Sequence, residues 1–270
     1  MMAGDSEGLT DLHSHLVPGV DDGSRTLLEA MEGMGKLKDA GVRRIVTTPH
    51  LDGSLTHDPE GLEARLQEMD RGWSSLLQRA EKEFPAVELR RGFEVMLDVP
   101  DPDLSDGRLY LAETRFVLVE WPWLGVPPGT LQVLTRLKDA GATPVLAHPE
   151  RYRGLDNVDL ANGWRKMGAL LQVNYGSLVG RYGETPQKRA FTLLERGWVD
   201  LLSSDFHGRP HLTPDLEEAR EVMSEVGGDE QFEILSGVNT LRLLRGEDPV
   251  PVPALVLERG IREKLRSFFR

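Results

Sequence analysis

Three segments of the sequence repeat one pattern, in which a helical segment ends on glycine and a short apolar strand follows. Residues 37–41 and 137–141 both read Leu-Lys-Asp-Ala-Gly, and residues 193–197 are a third version, Leu-Leu-Glu-Arg-Gly. Such a glycine suits the left-handed conformation that closes a helix, and the apolar run after it is typical of a buried strand. Since strands that alternate with helices pair in parallel, the repeat predicts an α/β fold.

The predicted strands end on polar side chains. The three repeats lead to His50, to His148, and to Asp205 with His207. Further strands predicted at residues 87–95, 116–120 and 169–174 lead to Glu94, to Glu120, and to Gln172 or Asn174. In a closed parallel barrel the functional groups come from the C-terminal ends of several strands, so we expect these side chains at one mouth.

A pair of histidines near the N-terminus has the spacing of metal ligands. His13 and His15 belong to the stretch Asp-Leu-His-Ser-His at residues 11–15, which is followed by Asp21-Asp22-Gly23. Side chains two residues apart on a strand point to the same face, so both imidazoles can reach one ion. Histidines at this spacing also occur as ordinary surface or core residues, so the interpretation depends on ligands from elsewhere in the chain.

The strand ends supply those ligands. The candidates are His13, His15, Asp22, His50, Glu94, Glu120, His148, Asp205 and His207. They are more ligands than one ion can use, which implies two or three metals. A multinuclear site clamps the oxygens of a transferring phosphoryl group and activates water, so the pattern favours phosphate ester hydrolysis.

Glu120 has an alternative interpretation. It ends a run of four apolar residues, and a buried carboxylate is too costly to keep ionised without a metal or a cation beside it. A salt bridge from Glu120 to Arg115 or Arg151 would meet that need without any metal.

Composition limits the chemistry and the partners. The sequence has no cysteine, so any metal must be held by imidazole and carboxylate, which suits Mn2+, Fe2+ or Zn2+. Its 32 basic and 44 acidic side chains give a net charge of −12, which argues against nucleic-acid or anionic-membrane binding. The polar start and the absence of a long apolar run predict a cytoplasmic protein with no membrane insertion.

The chain length is that of a single α/β barrel. We expect one domain at residues 9–270 and a flexible N-terminus at residues 1–8, with an amphipathic helix at residues 254–269 closing the fold. Other helices are expected at residues 26–40, from Asp58-Pro59 to residue 79, and at 129–140, 159–167, 185–195, 216–226 and 230–244.

The chain resembles the polymerase and histidinol phosphatase (PHP) superfamily. The closer likeness is to bacterial manganese-dependent protein-tyrosine phosphatases encoded with capsular and extracellular polysaccharide genes. The motifs that carry it run from residue 9 to about residue 245 and are residues 11–15 with 18–23, 48–50, 92–94, Glu120, 148–152, 172–180 and 204–207 with Arg209-Pro210. The double aspartate and the His-Pro-Glu-Arg stretch are the most specific of these.

The resemblance implies a distorted (β/α)7 PHP barrel with a trinuclear metal site at the C-terminal ends of the strands. It assigns the ligands to three divalent ions, of which Mn2+ is favoured. The first ion takes His13, His15, Glu94 and Asp205; the second takes Glu94 as a bridge with Glu120 and His148; the third takes Asp22, His50 and His207.

The resemblance also assigns residues to the reaction. Arg151 and Arg209 match positions that grip the substrate phosphate, and a guanidinium fork suits phosphate oxygens. The alternative is that they neutralise local carboxylates such as Glu150. We expect a hydroxide bridging two ions to attack phosphorus in line. A metal-bound water or His207 would protonate the phenolate, whose pKa of about 10 makes it a fair leaving group.

Four functions remain distinguishable at this level. The leading hypothesis is a phosphatase for tyrosine-phosphorylated protein, with a bacterial tyrosine kinase that controls capsule or exopolysaccharide synthesis as its partner. The main alternative is a small-molecule phosphoesterase for histidinol phosphate or sugar phosphates. An amidohydrolase is disfavoured because no lysine ends a predicted strand, and a non-catalytic metal-binding module because the ligand set is complete. Oligomeric state is left open.

Two further features bear on the substrate and the site. Trp121, Trp123, Tyr152, Tyr175 and Tyr182 could flank a phosphotyrosine ring, with ordinary packing as the alternative for each. The family often has asparagine at the position of Gly208, a difference that could alter support of the third metal. Val238-Asn239-Thr240 stands where an asparagine–proline pair is common, which concerns only helix capping.

Overall fold

Parallel strands joined by helices form the framework of the chain. The computed structural model describes residues 8–155 and 158–257. The strands are β1 (Leu9–Asp11), β2 (Val42–Thr47), β3 (His50–Asp52), β4 (Glu88–Arg91), β5 (Glu94–Met96), β6 (Phe116–Glu120), β7 (Thr143–Ala147), β8 (Leu170–Asn174) and β9 (Leu201–Ser203). Every pair of neighbouring strands is parallel, which confirms the predicted α/β class.

Most of the helices lie where the sequence predicted them, whereas the short helix at Tyr175–Leu178 was not predicted. They are α1 (Leu27–Asp39), α2 (Pro59–Glu83), α3 (Thr130–Asp139), α4 (Asp159–Lys166), α5 (Tyr175–Leu178), α6 (Glu184–Glu195), α7 (Leu216–Glu225), α8 (Asp229–Glu233) and α9 (Asn239–Leu244). Asp58 caps α2 as predicted, because its carboxylate accepts from the backbone N–H of Gly61 at 3.1 Å and Pro59 stands in the first turn. The single helix predicted at residues 230–244 is interrupted by a π-helical turn at Ile234–Val238.

Two strands that the sequence pattern treats as continuous are broken in the structure. The first breaks between β2 and β3 at Thr48-Pro49, where proline lacks the N–H that a ladder needs. The second breaks between β4 and β5 at Gly92-Phe93, where a Cβ on Gly92 would lie 2.9 Å from Cα of Leu111. Both breaks transfer the chain from one sheet to the other.

The ladders therefore form two sheets among the described residues, with strand orders β1-β2-β4 and β3-β5-β6-β7-β8-β9. They do not form one closed barrel. The segments just beyond β1 and β9 still meet, since the backbone N–H of Asp205 donates to the carbonyl of His13 at 2.9 Å and that of His15 to Phe206 at 2.9 Å. The two ends of the strand array are thereby brought together at the end where the polar residues lie.

The helices pack on this array and bury a large apolar core. Leu16, Met34, Leu37 and Ile45 are among its fully buried members. Residues 254–257 are not helical, and the rest of the helix predicted at 254–269 lies outside the described residues, as does nearly all of the predicted N-terminal segment at 1–8. In the part of the chain that the structure describes, we find no helix with the length and apolar character needed to span a bilayer.

Candidate metal centre

The nine predicted ligands lie together where the strands end. Three overlapping groups of their donor atoms are close enough to share an ion, namely His13, His15, Glu94 and Asp205; His15, Asp22, His50 and His207; and His50, Glu94 and Glu120. Within each group the donor atoms lie within 4.8 Å of one another. His148 joins them through Glu94, while His57 lies apart, beside the carbonyl of Asp101.

The first group is buried at the centre of the cluster. Oε2 of Glu94 lies 3.1 Å from Nε2 of His13 and 3.3 Å from Nε2 of His15. Oδ1 of Asp205 lies 3.3 and 3.4 Å from the same two nitrogens. Ligand atoms that each lie about 2.1 Å from one ion are roughly 3.0–3.4 Å apart, so this donor set fits a divalent cation.

The second group opens toward solvent. Oδ1 of Asp22 lies 3.4 Å from Nε2 of His50 and 3.3 Å from Nε2 of His207. The Asp22 side chain is 68% exposed, in contrast to the buried first group. Nδ1 of His207 lies 2.9 Å from the carbonyl oxygen of Asp205, which can only accept, so Nε2 is the nitrogen that faces the group.

The third group shares Glu94 and His50 with the others. Strand register places His50 of β3 opposite Glu94 of β5, and Met96 of β5 opposite Glu120 of β6. Nδ1 of His50 lies 3.1 Å from Glu94 and 3.4 Å from Oε1 of Glu120. Nε2 of His148 lies 3.0 Å from Oε1 of Glu94 and 3.8 Å from Oε2 of Glu120. The family resemblance assigned His50 to the ion held by Asp22 and His207, whereas the structure also places it beside Glu94 and Glu120.

Two of these ligands stand on strained backbone. His148 has φ of 35° and Asp205 has φ of 51°, in the left-handed region that residues with a Cβ rarely adopt. Such conformations cost free energy and concentrate at functional sites, where the surroundings hold a side chain in one direction. The turns after β7 and β9 therefore aim these two groups at the cluster.

The alternative role of Glu120 is not what the structure shows. Arg115 pairs with Asp248, and Arg151 donates from Nη1 to Oδ2 of Asp205 at 2.6 Å. Neither arginine is hydrogen-bonded to Glu120 among the described residues, and its carboxylate lies instead beside the imidazoles of His50 and His148, at 3.4 and 3.8 Å.

The charges of the cluster are strongly coupled. Burial would raise the pKa of Glu94 and Asp205, but the neighbouring His13 imidazole holds both pKa values well below their usual range. Burial would lower the pKa of His50, yet Asp22 and Glu120 raise it to about 10. The carboxylates therefore stay ionised and draw positive charge into the site. Divalent ions would take the place of the imidazole protons, because metal ligation requires ionised carboxylate and neutral imidazole.

The two predicted phosphate-binding arginines contact this cluster. Arg151 is bound to Asp205, as described above, and its Cζ lies 4.1 Å from the ring centroid of Tyr182. Arg209 donates from Nη2 and Nε to the carbonyl oxygen of Asp22 at 2.9 and 3.2 Å. Neither donates to the carboxylate of Glu150, which accepts from the Ser177 hydroxyl at 2.6 Å. Both still lie beside other local carboxylates, since Arg151 pairs with Asp205 and Nη1 of Arg209 lies 3.8 Å from Oε2 of Glu29.

The aromatic residues suggested as walls for a phosphotyrosine ring separate into two kinds. Trp121, Tyr152 and Tyr175 are fully buried, so these three are packing residues and the suggestion was wrong for them. Trp123 is 78% exposed, and Tyr182 is half-buried beside Arg151. Only the last two can meet a substrate.

A comparison with known protein families assigns the chain to one of them. A profile of the family described as capsular polysaccharide synthesis, CpsB/CapC, matches residues 9–245. The chain belongs to the CpsB/CapC family. The match spans every candidate ligand, from His13 to His207.

Known CpsB/CapC-type relatives are similar over nearly their whole length. The tyrosine-protein phosphatase YwqE of Bacillus subtilis (strain 168) is 28% identical over 269 residues, covering 97% of this chain and 100% of that protein. The tyrosine-protein phosphatase CpsB of Streptococcus agalactiae serotype V is 28% identical over 245 residues, covering 88% of this chain and 98% of that protein.

Solved structures give the same relationship at the level of the fold. One of them comes from a study of YwqE from Bacillus subtilis and CpsB from Streptococcus pneumoniae, which it describes as unique metal-dependent tyrosine phosphatases. It matches with a TM-score of 0.75 at 27% sequence identity, and the match covers 93% of this chain and 100% of that chain. A variant of the organophosphorus hydrolase from Deinococcus radiodurans shares the fold with a TM-score of 0.52 at 15% identity, covering 90% and 95%.

Sequence reasoning missed the roles of Asp21, Gln172 and Asp11 in this CpsB/CapC-family site. Nδ1 of His15 lies 2.8 Å from Oδ2 of Asp21, and Nδ1 of His13 lies 2.8 Å from Oε1 of Gln172. Both contacts place the proton on Nδ1 and leave Nε2 to face the cluster. Asp21 stands next to the predicted ligand Asp22, and Gln172 lies within the strand predicted at residues 169–174, so the sequence showed their positions but not their partners.

Asp11 has a structural role of its own. Burial raises the pKa of its carboxyl to about 6, and that carboxyl accepts from the backbone N–H and the hydroxyl of Ser204 at 2.8 and 2.6 Å. It thereby ties β1 to the turn after β9, which carries Asp205. Its place at the head of the histidine stretch was the only sequence signal for this role.

Proposed function

We propose that this protein is a metal-dependent protein-tyrosine phosphatase in which residues 9–270 act as one phosphatase domain. The observation that carries the proposal is the contact between each of two arginines and a candidate metal ligand. Arg151 is bound to the carboxylate of Asp205, and Arg209 to the main-chain carbonyl of Asp22. Cationic forks beside a cluster of metal ligands form a site suited to a phosphate monoester.

The same proposal includes three divalent ions, with Mn2+ as the favoured metal. The supporting observation is that eight of the nine ligands fall into three overlapping donor groups that share His15, His50 or Glu94, and that Nε2 of the ninth, His148, lies 3.0 Å from Oε1 of Glu94. The nitrogen and oxygen donors also accept Fe2+ or Zn2+, so metal availability would decide among them. A distorted (β/α)7 barrel belongs to the proposal as well, since β2 with β3 and β4 with β5 follow one path each, which reduces the strands to seven paths.

Different residues of the site have different roles in the proposed reaction. Divalent ions bound here would act as Lewis acids toward water and the phosphoryl oxygens. Arg151 and Arg209 bind and orient those oxygens, which lowers the entropic part of the barrier. With Nδ1 of His207 committed to a carbonyl oxygen, Nε2 is the atom through which this histidine ligates or passes a proton. A tyrosine phenolate, with a pKa of about 10, requires little protonation as it leaves.

The proposed substrate is a tyrosine-phosphorylated protein, specifically a bacterial tyrosine kinase that acts in capsule or exopolysaccharide synthesis. The family description and the relatives named as tyrosine-protein phosphatases support this assignment. A cytoplasmic location is part of the same proposal, because such a kinase domain would present its phosphotyrosines there.

The test compares substrates and counts metal ions. Protein purified without chelator is analysed for metal content and assayed on a phosphotyrosine peptide, on histidinol phosphate and on a sugar phosphate. We expect two to three ions per chain and a clear preference for the peptide. Preference for either small phosphate would overturn the protein-tyrosine assignment, and fewer than two ions in an active preparation would overturn the multinuclear site.

A histidine pair provides the matched control. His148→Ala removes an imidazole 3.0 Å from Glu94, whereas His57→Ala removes one that lies beside the carbonyl of Asp101, outside the cluster. We expect His148→Ala to lose most activity and His57→Ala to keep it. Unchanged turnover in His148→Ala would contradict the metal-dependent mechanism.

A further inference from the structure

The guanidinium of Arg151 is held between an anion and an aromatic ring. Nη1 donates to Oδ2 of Asp205 at 2.6 Å, and Cζ lies 4.1 Å from the centroid of Tyr182. The Arg151 side chain is 19% exposed. Among the described residues, Asp205 is the sole side-chain acceptor for this guanidinium, so its other N–H groups remain available to a ligand.

The acceptor itself is fixed from a second direction. Nδ2 of Asn174, at the end of β8, donates to the same Oδ2 of Asp205 at 2.9 Å. Asp205 therefore cannot turn Oδ2 away from Arg151 without losing two hydrogen bonds. One edge of the guanidinium is set by Asp205, and one face is set by the ring of Tyr182.

The ring of Tyr182 is held in place by its own segment. Gly176 passes so close that an added Cβ would lie 3.0 Å from Cε2 of Tyr182. The adjacent Arg181 pairs with the buried carboxylate of Asp215 and donates to the Thr213 hydroxyl at 2.7 Å. This pairing ties the Tyr182 segment to residues 209–215, the stretch that begins with Arg209. The ring thus lies close against Gly176, in a segment that Arg181 anchors to residues 209–215.

We propose that Tyr182 is a positioning residue for phosphate recognition, because its ring holds the Arg151 guanidinium in the plane that meets the phosphoryl oxygens. The inference rests on the proposed function, in that it takes Arg151 as a phosphate ligand. A cation over an aromatic face is attracted by the ring and, for arginine, also stacks on it. Loss of the face would leave Arg151 tethered to Asp205 at one nitrogen only and free to rotate about that bond.

The test uses variants that separate the ring from the hydroxyl. Tyr182→Phe keeps the face, while Tyr182→Leu removes it with little change in volume. Tyr110→Leu is the matched control, because Tyr110 is the other half-buried tyrosine and lies outside the cluster. The readouts are the inhibition constant of inorganic phosphate, KM and kcat on a phosphotyrosine peptide, metal content and Tm.

We expect Tyr182→Leu to raise the inhibition constant for phosphate and KM by roughly 2- to 30-fold, the range of one cation–π contact. We expect kcat to change less, metal content to stay the same, and Tyr182→Phe and Tyr110→Leu to behave like wild type. Equal phosphate affinity in Tyr182→Leu and Tyr182→Phe would overturn the proposal. A fall in Tm or metal content that accounts for the whole effect would overturn it too.

A double-mutant cycle makes the result specific to the pair. In an Arg151→Ala background, Tyr182→Leu should cause no further loss of phosphate affinity, whereas independent effects would add and contradict the proposal. Binding of inorganic phosphate is measured directly by calorimetry in all four proteins. Failure of the proposed function would appear differently: the four proteins would show the expected coupling in phosphate binding, but the wild type would not hydrolyse phosphotyrosine peptides.

Discussion

Arg151 and Asp205 share a hydrogen bond of 2.6 Å that links the proposed phosphate site to the candidate metal centre. The bond uses Oδ2 of the carboxylate, while Oδ1 of the same group lies 3.3 Å from Nε2 of His13. Asp205 thus divides its two oxygens between the cluster and the arginine. Any change in the position of Asp205 will alter both the coordination of a bound ion and the position of the guanidinium.

Replacing Arg151 with lysine tests the need for a fork. Arg151→Lys keeps the positive charge but loses the planar set of N–H donors that can hold Asp205 and phosphate together. We expect kcat/KM on a phosphotyrosine peptide to fall about 10- to 100-fold, the scale of a hydrogen bond to a charged group. Arg153→Lys is the control, because the exposed Arg153 side chain donates to the main-chain carbonyl of Trp123 at 2.9 Å and has no recorded hydrogen bond to a candidate metal ligand among the described residues. Equal losses in both variants would contradict the role of Arg151.

Asp21 should control how strongly the site binds metal. Asp21→Asn keeps an oxygen beside Nδ1 of His15 but removes the charge that makes this imidazole a stronger ligand. Loss of such a supporting carboxylate typically costs about 10- to 100-fold in metal affinity. The measurement is competition with a chelator at fixed pH, with surface Asp39→Asn as the control. Affinity equal to that of the control would show that Asp21 has only a structural role.

Gly208 has a left-handed backbone conformation and lies against Ser24, so an added side chain should be destabilising there. Its φ is 61°, and an added Cβ would lie 2.1 Å from Oγ of Ser24. We expect Gly208→Ala to cost about 2 kcal/mol or more in stability, from left-handed backbone strain and the clash together. Activity should also fall, because His207 and Arg209 are its chain neighbours. Denaturant unfolding and peptide assays measure the two effects.

Gly41 and Ser24 supply the controls for that experiment. Gly41 has φ of 96° with nothing within 4 Å of an added Cβ, so Gly41→Ala should cost only the backbone strain, about 1 kcal/mol, and keep full activity. Adding Ser24→Ala to Gly208→Ala removes the clashing oxygen and should restore part of the loss. If both glycine variants lose the same stability, the contact with Ser24 is unimportant.

Asp200 should make stability depend on pH. Burial raises the pKa of its carboxyl to about 6 from an ordinary 3.8. Between about pH 4 and pH 6 the unfolded chain releases this proton before the folded one does, so its contribution is present at low pH and is lost as pH rises through the folded pKa. The shift corresponds to about 1–3 kcal/mol after allowance for partial exposure.

Asp200 accepts a hydrogen bond from the backbone N–H of Leu171 at 2.8 Å. Asp200→Asn removes the titrating carboxyl group and keeps an oxygen that can accept this bond. The free energy of unfolding of the variant, relative to wild type, should therefore rise by about 1–3 kcal/mol between pH 4.5 and pH 7.5. Urea unfolding at several pH values measures the difference, in which metal effects common to both proteins cancel. A difference independent of pH would contradict the assignment.

Local pattern was enough to predict the elements and the direction of the strands. The repeat that ends at Gly41 and Gly141 predicted helices followed by parallel strands, and these are present as α1 with β2 and α3 with β7. Strand ends also predicted which residue types gather, because parallel strands carry their C-terminal residues to one side. These inferences succeed since helix period, caps and apolar runs are properties of neighbouring residues.

Tertiary structure decided which atoms meet. The breaks at Pro49 and Gly92 shift His50 and Glu94 into the second sheet and set them opposite each other, a register that no local pattern contains. Gln172 as the partner of His13 and Asp205 as the partner of Arg151 likewise come from segments separated by long stretches of chain. The sequence by itself determined the fold class and the ligand types, and the packing of distant segments determined their grouping, because a difference of about 1 Å in position separates a shared ligand from a mere neighbour.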